Sequence, residues 1–192
     1  MILLVASALA HPFNTDEYSL RTQVKASETV LVGLVVLEVP IPVVLGGIGV
    51  SEDDSGPIKK LKVKKYNEAT WDTMASTLSV SIDGEVQDVT WRPISHEMNG
   101  KAAEGFFLYL VGFDIPSSDL PAGGYTVVIQ NSGYAEEKMV YSGGASAVEP
   151  WTVTASTAEV LLGEAKDLDL AQEGRWTRDE AMREFSVTVD KP

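Results

Sequence analysis

A chain of 192 residues with 44% apolar content can bury a sizeable core, and its formal charge of −13 argues against the basic surface that nucleic-acid binding requires. It contains no cysteine, which excludes a disulfide framework, a thiolate metal site, a cysteine nucleophile and a lipoprotein anchor together, without assigning a compartment.

Met1 to Ala10 carries no charged side chain and closes on Ala8-Leu9-Ala10 ahead of His11. A small-residue triplet behind an apolar run reads as a secretory cleavage site, so residues 1–10 are expected to be a signal-peptide remnant; an ordinary apolar N-terminal strand is the alternative. Residues 11–192 are then expected to form a single β-sandwich domain in the periplasm or outside the cell.

Tyr18 to Ala26 and Thr29 to Val39 are predicted to make a first strand pair. Thr29 to Val50 is apolar over a bilayer-spanning length, but Glu38, Pro40 and Pro42 interrupt it and argue against a membrane span. Gly46-Gly47-Ile48-Gly49 is neither a dinucleotide fingerprint nor a phosphate loop and reads as a turn. Glu52-Asp53-Asp54-Ser55-Gly56-Pro57 reads as a surface loop without the oxygen spacing of a calcium site. Lys60 to Tyr66 alternates Leu61 and Val63 with lysines, as a half-exposed edge strand does. Lys59, Lys60, Lys62, Lys64 and Lys65 are read there as a solvated strand face, with contact to an acidic partner surface as the alternative.

Leu78, Val80 and Ile82 run into Asp83-Gly84, a strong two-residue hairpin signal, with Val89 and Trp91 on the same face across the turn. Phe106 to Phe113 is apolar at nearly every position and reads as a central strand. A turn at Pro121-Ala122-Gly123-Gly124 feeds the alternating Tyr125, Val127 and Ile129, and Met139 to Tyr141, Trp151 to Ala155 and Phe185 to Val189 add three more strands. Ser156-Thr157-Ala158-Glu159 has capping-box spacing ahead of Leu161, Ala165 and Leu168, and Thr177-Arg178-Asp179-Glu180 repeats the device before a short turn ending near Glu184. The predicted fold is therefore all-β, an immunoglobulin-like β-sandwich with two short helical insertions.

No G-x-S-x-G elbow is present, and a catalytic triad would have to use His96 as its base, with no partner serine marked. A paired-carboxylate site cannot be picked out among 28 acidic residues. Trp71, Trp91, Trp151 and Trp176 serve either as core or as a carbohydrate-stacking platform, with Trp91 assigned to the interior by its face.

The chain has two histidines, His11 and His96. A processed N-terminal His11 supplies its α-amine and imidazole, and His96 a third nitrogen, a set that Cu(II) favours; Glu97, Asp16 or Glu17 is placed to add an oxygen. His96 falls in the predicted loop after Trp91. Trp91-Arg92-Pro93-Ile94-Ser95-His96-Glu97-Met98-Asn99-Gly100, followed by Phe106 to Val111, resembles the Trp-Arg-x-x-Ser … His-x-x-x-Gly … Phe-x-Phe stretch of CopC-type periplasmic copper proteins. That resemblance implies a small β-sandwich with His11 and His96 as copper ligands. Ser95 joins His96 directly where that family inserts its aspartate ligand. Lytic polysaccharide monooxygenases use a similar histidine brace, and Phe185 sits somewhat like their axial aromatic.

The sequence thus supports a secreted or periplasmic binding or accessory module without catalytic activity, its protein or glycan partner unknown. A Cu(II)-binding protein and a carbohydrate-contacting module are the alternatives.

Overall fold

The computed structural model describes residues 16–99, 105–157 and 176–190. Among these residues ten strands and two α-helices follow in chain order: β1 (Tyr18–Ala26), β2 (Val30–Pro40), α1 (Ile41–Ile48), α2 (Gly56–Thr77), β3 (Leu78–Ile82), β4 (Glu85–Gln87), β5 (Arg92–Asn99), β6 (Phe106–Pro116), β7 (Gly124–Asn131), β8 (Met139–Ala147), β9 (Thr152–Ser156) and β10 (Glu184–Asp190). They form two five-stranded sheets, one ordered β5-β6-β2-β1-β8 and the other β4-β3-β7-β10-β9. Pairing is antiparallel throughout except between β1 and β8, which run parallel from Tyr18↔Met139 to Ala26↔Ala147.

The period-2 patterns put one face of each strand between the sheets. Leu20, Val24, Leu31, Val35, Leu37, Tyr109, Val111 and Phe113 from the first sheet share a single buried cluster with Val80, Ile82, Val127, Ile129, Phe185, Val187 and Val189 from the second. This is the sandwich core. The reverse face of the first sheet carries a smaller group, Leu34, Val36 and Leu110, while Phe106 and Val140 pack with Trp176. Trp91 is buried edge-on to Phe113, as its face predicts, and Val89 is half-buried beside the core. The Asp83-Gly84 hairpin forms with Ile82 opposite Glu85; both turn residues have positive φ, 49° and 84°, as the mirror-image turn that suits twisted strands demands.

Helix α2 overturns the predicted edge strand at Lys60 to Tyr66. Lys59, Val63, Tyr66, Asn67, Thr70, Trp71 and Met74 follow a helical stripe and are all at least partly covered, whereas Leu61 is exposed. That longer stripe outweighs a two-residue alternation. Pro57 in the first turn has its φ already set for a helix, and the lysines, Glu68, Ala69 and Met74 are good helix formers. The apolar run after Thr29 also divides: β2 ends at Pro40, and Ile41–Ile48 turns into α1, so Gly46 and Gly47 lie inside a helix instead of a turn. Gly49, at φ 62°, ends it in the left-handed conformation. Among the described residues no helix is long and apolar enough to cross a membrane.

Among the described residues the α-helices are α1 and α2, at positions earlier than the two predicted insertions. The helix expected after Ser156 falls at residues 158–175, outside the described residues, as do residues 1–10. At the other expected site a short 3-10 turn spans Glu180–Arg183, and its cap is Asp179, whose Oδ1 accepts from the Ala181 N–H at 3.0 Å. Thr177 stands outside the turn: its Oγ1 accepts from the Asp179 N–H at 3.1 Å while its backbone bridges Tyr141 in both directions.

Candidate functional site

His96 lies on a strand and not in a loop. Its neighbours pair in order with β6, His96↔Tyr109, Glu97↔Leu108 and Met98↔Phe107, and the register slips between Pro93 and Ser95 where a proline cannot donate. β5 is an edge strand, so one side of it stays open to α2. Because directly paired residues point to the same face, His96 shares the inner face of the sheet with the core residue Tyr109.

One hydrogen bond fixes α2 against that face. The Tyr109 hydroxyl donates to Asn67 Oδ1 at 2.9 Å, and both side chains are buried. Burial pushes the Tyr109 phenol well above its ordinary value, so it is always a donor near neutrality. One helical turn further on, Trp71 meets the His96 ring edge-on with centroids 5.2 Å apart, and the Tyr109 ring at 6.3 Å. The rings form a short aromatic row from helix to strand.

Between α2 and β5 this row floors a groove of about 430 Å³. Val63, Trp71, the imidazole of His96 and the alkyl stems of Lys59, Lys60 and Lys64 line it, with Asn67 at its base and Glu68 at its rim. Lysine stems cover apolar surface while their ammonium groups stay in water, so an apolar trough with a cationic lip is the natural result. Glu68 offsets part of that charge through an exposed contact with Lys64 at 3.6 Å, a pairing that water screens strongly. Lys62, by contrast, turns away and binds Asp54 at 2.7 Å and the Gly49 carbonyl at 2.8 Å.

Of the two predicted metal ligands, His96 is exposed in this groove, and His11 lies outside the described residues. Among the described residues no group of three or more His, Asp or Glu side chains is placed to hold a metal ion. The proposed oxygen donors are partly engaged elsewhere. Glu17 accepts two bonds from Arg178, each 2.9 Å, and the hydrogen bond from Lys138 holds the Asp16 carboxyl below its ordinary range. Glu97 is exposed. No serine or carboxylate hydrogen-bonds the His96 ring among the described residues.

The tryptophans do not make an exposed, coplanar set. Trp91 and Trp151 are buried, Trp151 against Tyr125; Trp176 is half-buried with the Arg21 guanidinium 5.1 Å over its ring; Trp71 belongs to the groove. Sequence reasoning left Trp71 ambiguous and missed Asn67. The signal that finds both is the helical stripe from Lys59 to Met74, hidden by the shorter lysine alternation. No protein-family model matches the chain, and no curated protein matches it.

Proposed function

We propose that the chain is a non-catalytic binding module of the periplasm or extracellular space, built on an immunoglobulin-like sandwich, and that the α2–β5 groove takes a ligand bearing a ring or alkyl group beside an anionic group. The observation that carries this reading is the convergence of Lys59, Lys60 and Lys64 on the Trp71–His96 pair in a chain whose net charge is −13. An aromatic or alkyl body gains contact area against Val63 and Trp71, and its anionic end reaches the ammonium lip. Among the described residues His96 has a ring neighbour and no hydrogen-bonded nucleophile or orienting acid. The test is calorimetric titration of the full chain with phenyl phosphate, with Trp emission followed in parallel. Saturable binding, weakened about tenfold in Lys60→Gln/Lys64→Gln as two charge contacts are lost, is expected. Equal binding by that variant refutes the assignment.

A second reading, Cu(II) held by the His11 amine, the His11 imidazole and His96, is favoured by the exposure of His96 and by chain reach. Tyr109 pairs with Leu37 and Leu37 with Leu20, so His96 stands about 14 Å, three strand spacings, from β1. The seven-residue step from Tyr18 back to His11 spans up to roughly 24 Å. Cu(II) added to protein beginning at His11 is then expected to quench Trp71, and His96→Ala to abolish the effect. Comparable Cu(II) affinity in the two proteins removes His96 from the ligand set.

A further inference from the structure

The described residues concentrate exposed large apolar side chains at one corner. Val43 and Leu45 on α1, Val50 in the connecting loop, and Ile58 and Leu61 in the first two turns of α2 are 39, 54, 42, 46 and 51% exposed. Val86 on β4, Ile94 on β5 and Val148 just after β8 are exposed elsewhere along the chain. The two helices bearing the corner are held together: the Tyr66 ring lies against Gly47, and Lys62 Nζ reaches back to the Gly49 carbonyl. Met98, 61% exposed, pairs with Phe107, which in turn pairs with Val39, two residues before α1, so it stands at the same end of the first sheet. Helix α1 contains no charged residue at all.

Charge sets the occupant. Residues 49–65 carry five lysines against three carboxylates, a locally positive segment in a chain of net charge −13, and Asp54 is neutralised by Lys62. Exposed apolar residues on α1 beside a lysine-rich helix have the composition of an interfacial element: the apolar tips enter the headgroup region while the lysines meet anionic lipid phosphates. A neutral protein face would use the apolar tips but not reward this clustering of lysine beside them; an acidic protein face would match both, and absence of flotation with anionic vesicles would leave it as the occupant.

We propose that α1 and the first two turns of α2 form a wedge that docks the protein onto an anionic bilayer surface without crossing it. Leu45 and Ile58 are its apolar anchors, and Lys65, in the next turn of α2, is one of its headgroup contacts. The wedge shares α2 and its lysines with the groove, but Leu45, Ile58 and Lys65 lie outside the groove lining.

The experiment is flotation of the full chain with vesicles of phosphatidylcholine and phosphatidylglycerol, against vesicles of phosphatidylcholine alone. The bound fraction is expected to depend on phosphatidylglycerol, to fall about tenfold in Leu45→Ser/Ile58→Ser, and to fall several-fold in Lys65→Glu and in high salt. Leu45 and Ile58 are exposed, so unchanged far-UV circular dichroism verifies that the double variant folds, and its unchanged phenyl phosphate titration separates wedge from groove. Absence of flotation, or flotation that Leu45→Ser/Ile58→Ser leaves unaltered, overturns the proposal. A dimer seen by light scattering and dissolved by the same double substitution also overturns it, assigning the corner to a second copy of the chain.

Discussion

Replacing Tyr109 with phenylalanine tests what positions the groove. The change removes one oxygen and leaves the ring, so the core loses almost no volume; its effect is electrostatic. Asn67 Oδ1 then keeps its burial and loses the hydroxyl that donates to it at 2.9 Å. A buried acceptor deprived of its donor costs about 1–3 kcal/mol, more than the net gain of an ordinary hydrogen bond, because its lost hydration is no longer offset. Asn67→Leu in the same background removes the stranded acceptor as well, so Tyr109→Phe/Asn67→Leu is expected to recover most of that loss. The assay is urea unfolding of the four proteins of the double-mutant cycle, comparing midpoints at constant slope, with a coupling energy of about 1–2 kcal/mol expected. If Tyr109→Phe costs less than about 0.5 kcal/mol, or the two single effects simply add, the bond does not hold α2 on the sheet.

Four further outcomes follow from the structure. Gly84→Ala forces a side chain into a residue at φ 84° and is expected to destabilise the fold by about 1 kcal/mol or more; no change in the urea midpoint contradicts the turn described. The Tyr125 hydroxyl is buried without a hydrogen-bond partner among the described residues, so Tyr125→Phe is expected to leave stability unchanged or to raise it by up to about 1 kcal/mol at neutral pH. Burial pushes the Tyr18 and Tyr125 phenols up to about 12 from 10, so the fold keeps protons that the unfolded chain releases; stability is fully present below pH 10 and is lost as pH rises to 12, with a shallower loss in Tyr125→Phe. The hydrogen bond from Lys62 holds the Asp54 carboxyl below its ordinary 3.8, so its contribution is present above that pH and is lost as the pH falls through the lowered value. Carboxyl NMR titration is expected to show Asp54 moving up toward its ordinary value in Lys62→Met, with the Ser51 N–H still holding it below; an identical titration curve in both proteins contradicts the pairing.

What could be read from the residues alone depended on whether the deciding interaction is local. Asp83-Gly84 demands positive φ at two adjacent positions, and that demand is visible in the dipeptide itself. Strands β6, β7 and β10 show their buried faces through alternation or continuous apolarity, so they are legible as well. Helix α2 was not, because Leu61 and Val63 among lysines imitate a strand, and the choice rests on Asn67 and Trp71 meeting Tyr109 and His96 from another part of the chain. α1 was hidden for a related reason: Ile41–Ile48 continues the apolar composition of β2, and only the prolines and the left-handed Gly49 mark the change. His96 was singled out as a chemically capable residue, but its aromatic neighbour and the lysines around it became visible only once α2 was a helix.

The central claim is that the trough between α2 and β5 is where this protein meets its ligand. Amide chemical-shift mapping of the full chain during titration with phenyl phosphate tests it most directly. The expected result is a set of saturating shifts confined to residues 59–71 of the helix and the neighbourhood of His96, together with movement of the Trp71 indole N–H. Shifts that spread evenly over the surface, or that gather on the opposite edge of the sandwich at β8 and β9 while Trp71 stays still, contradict it.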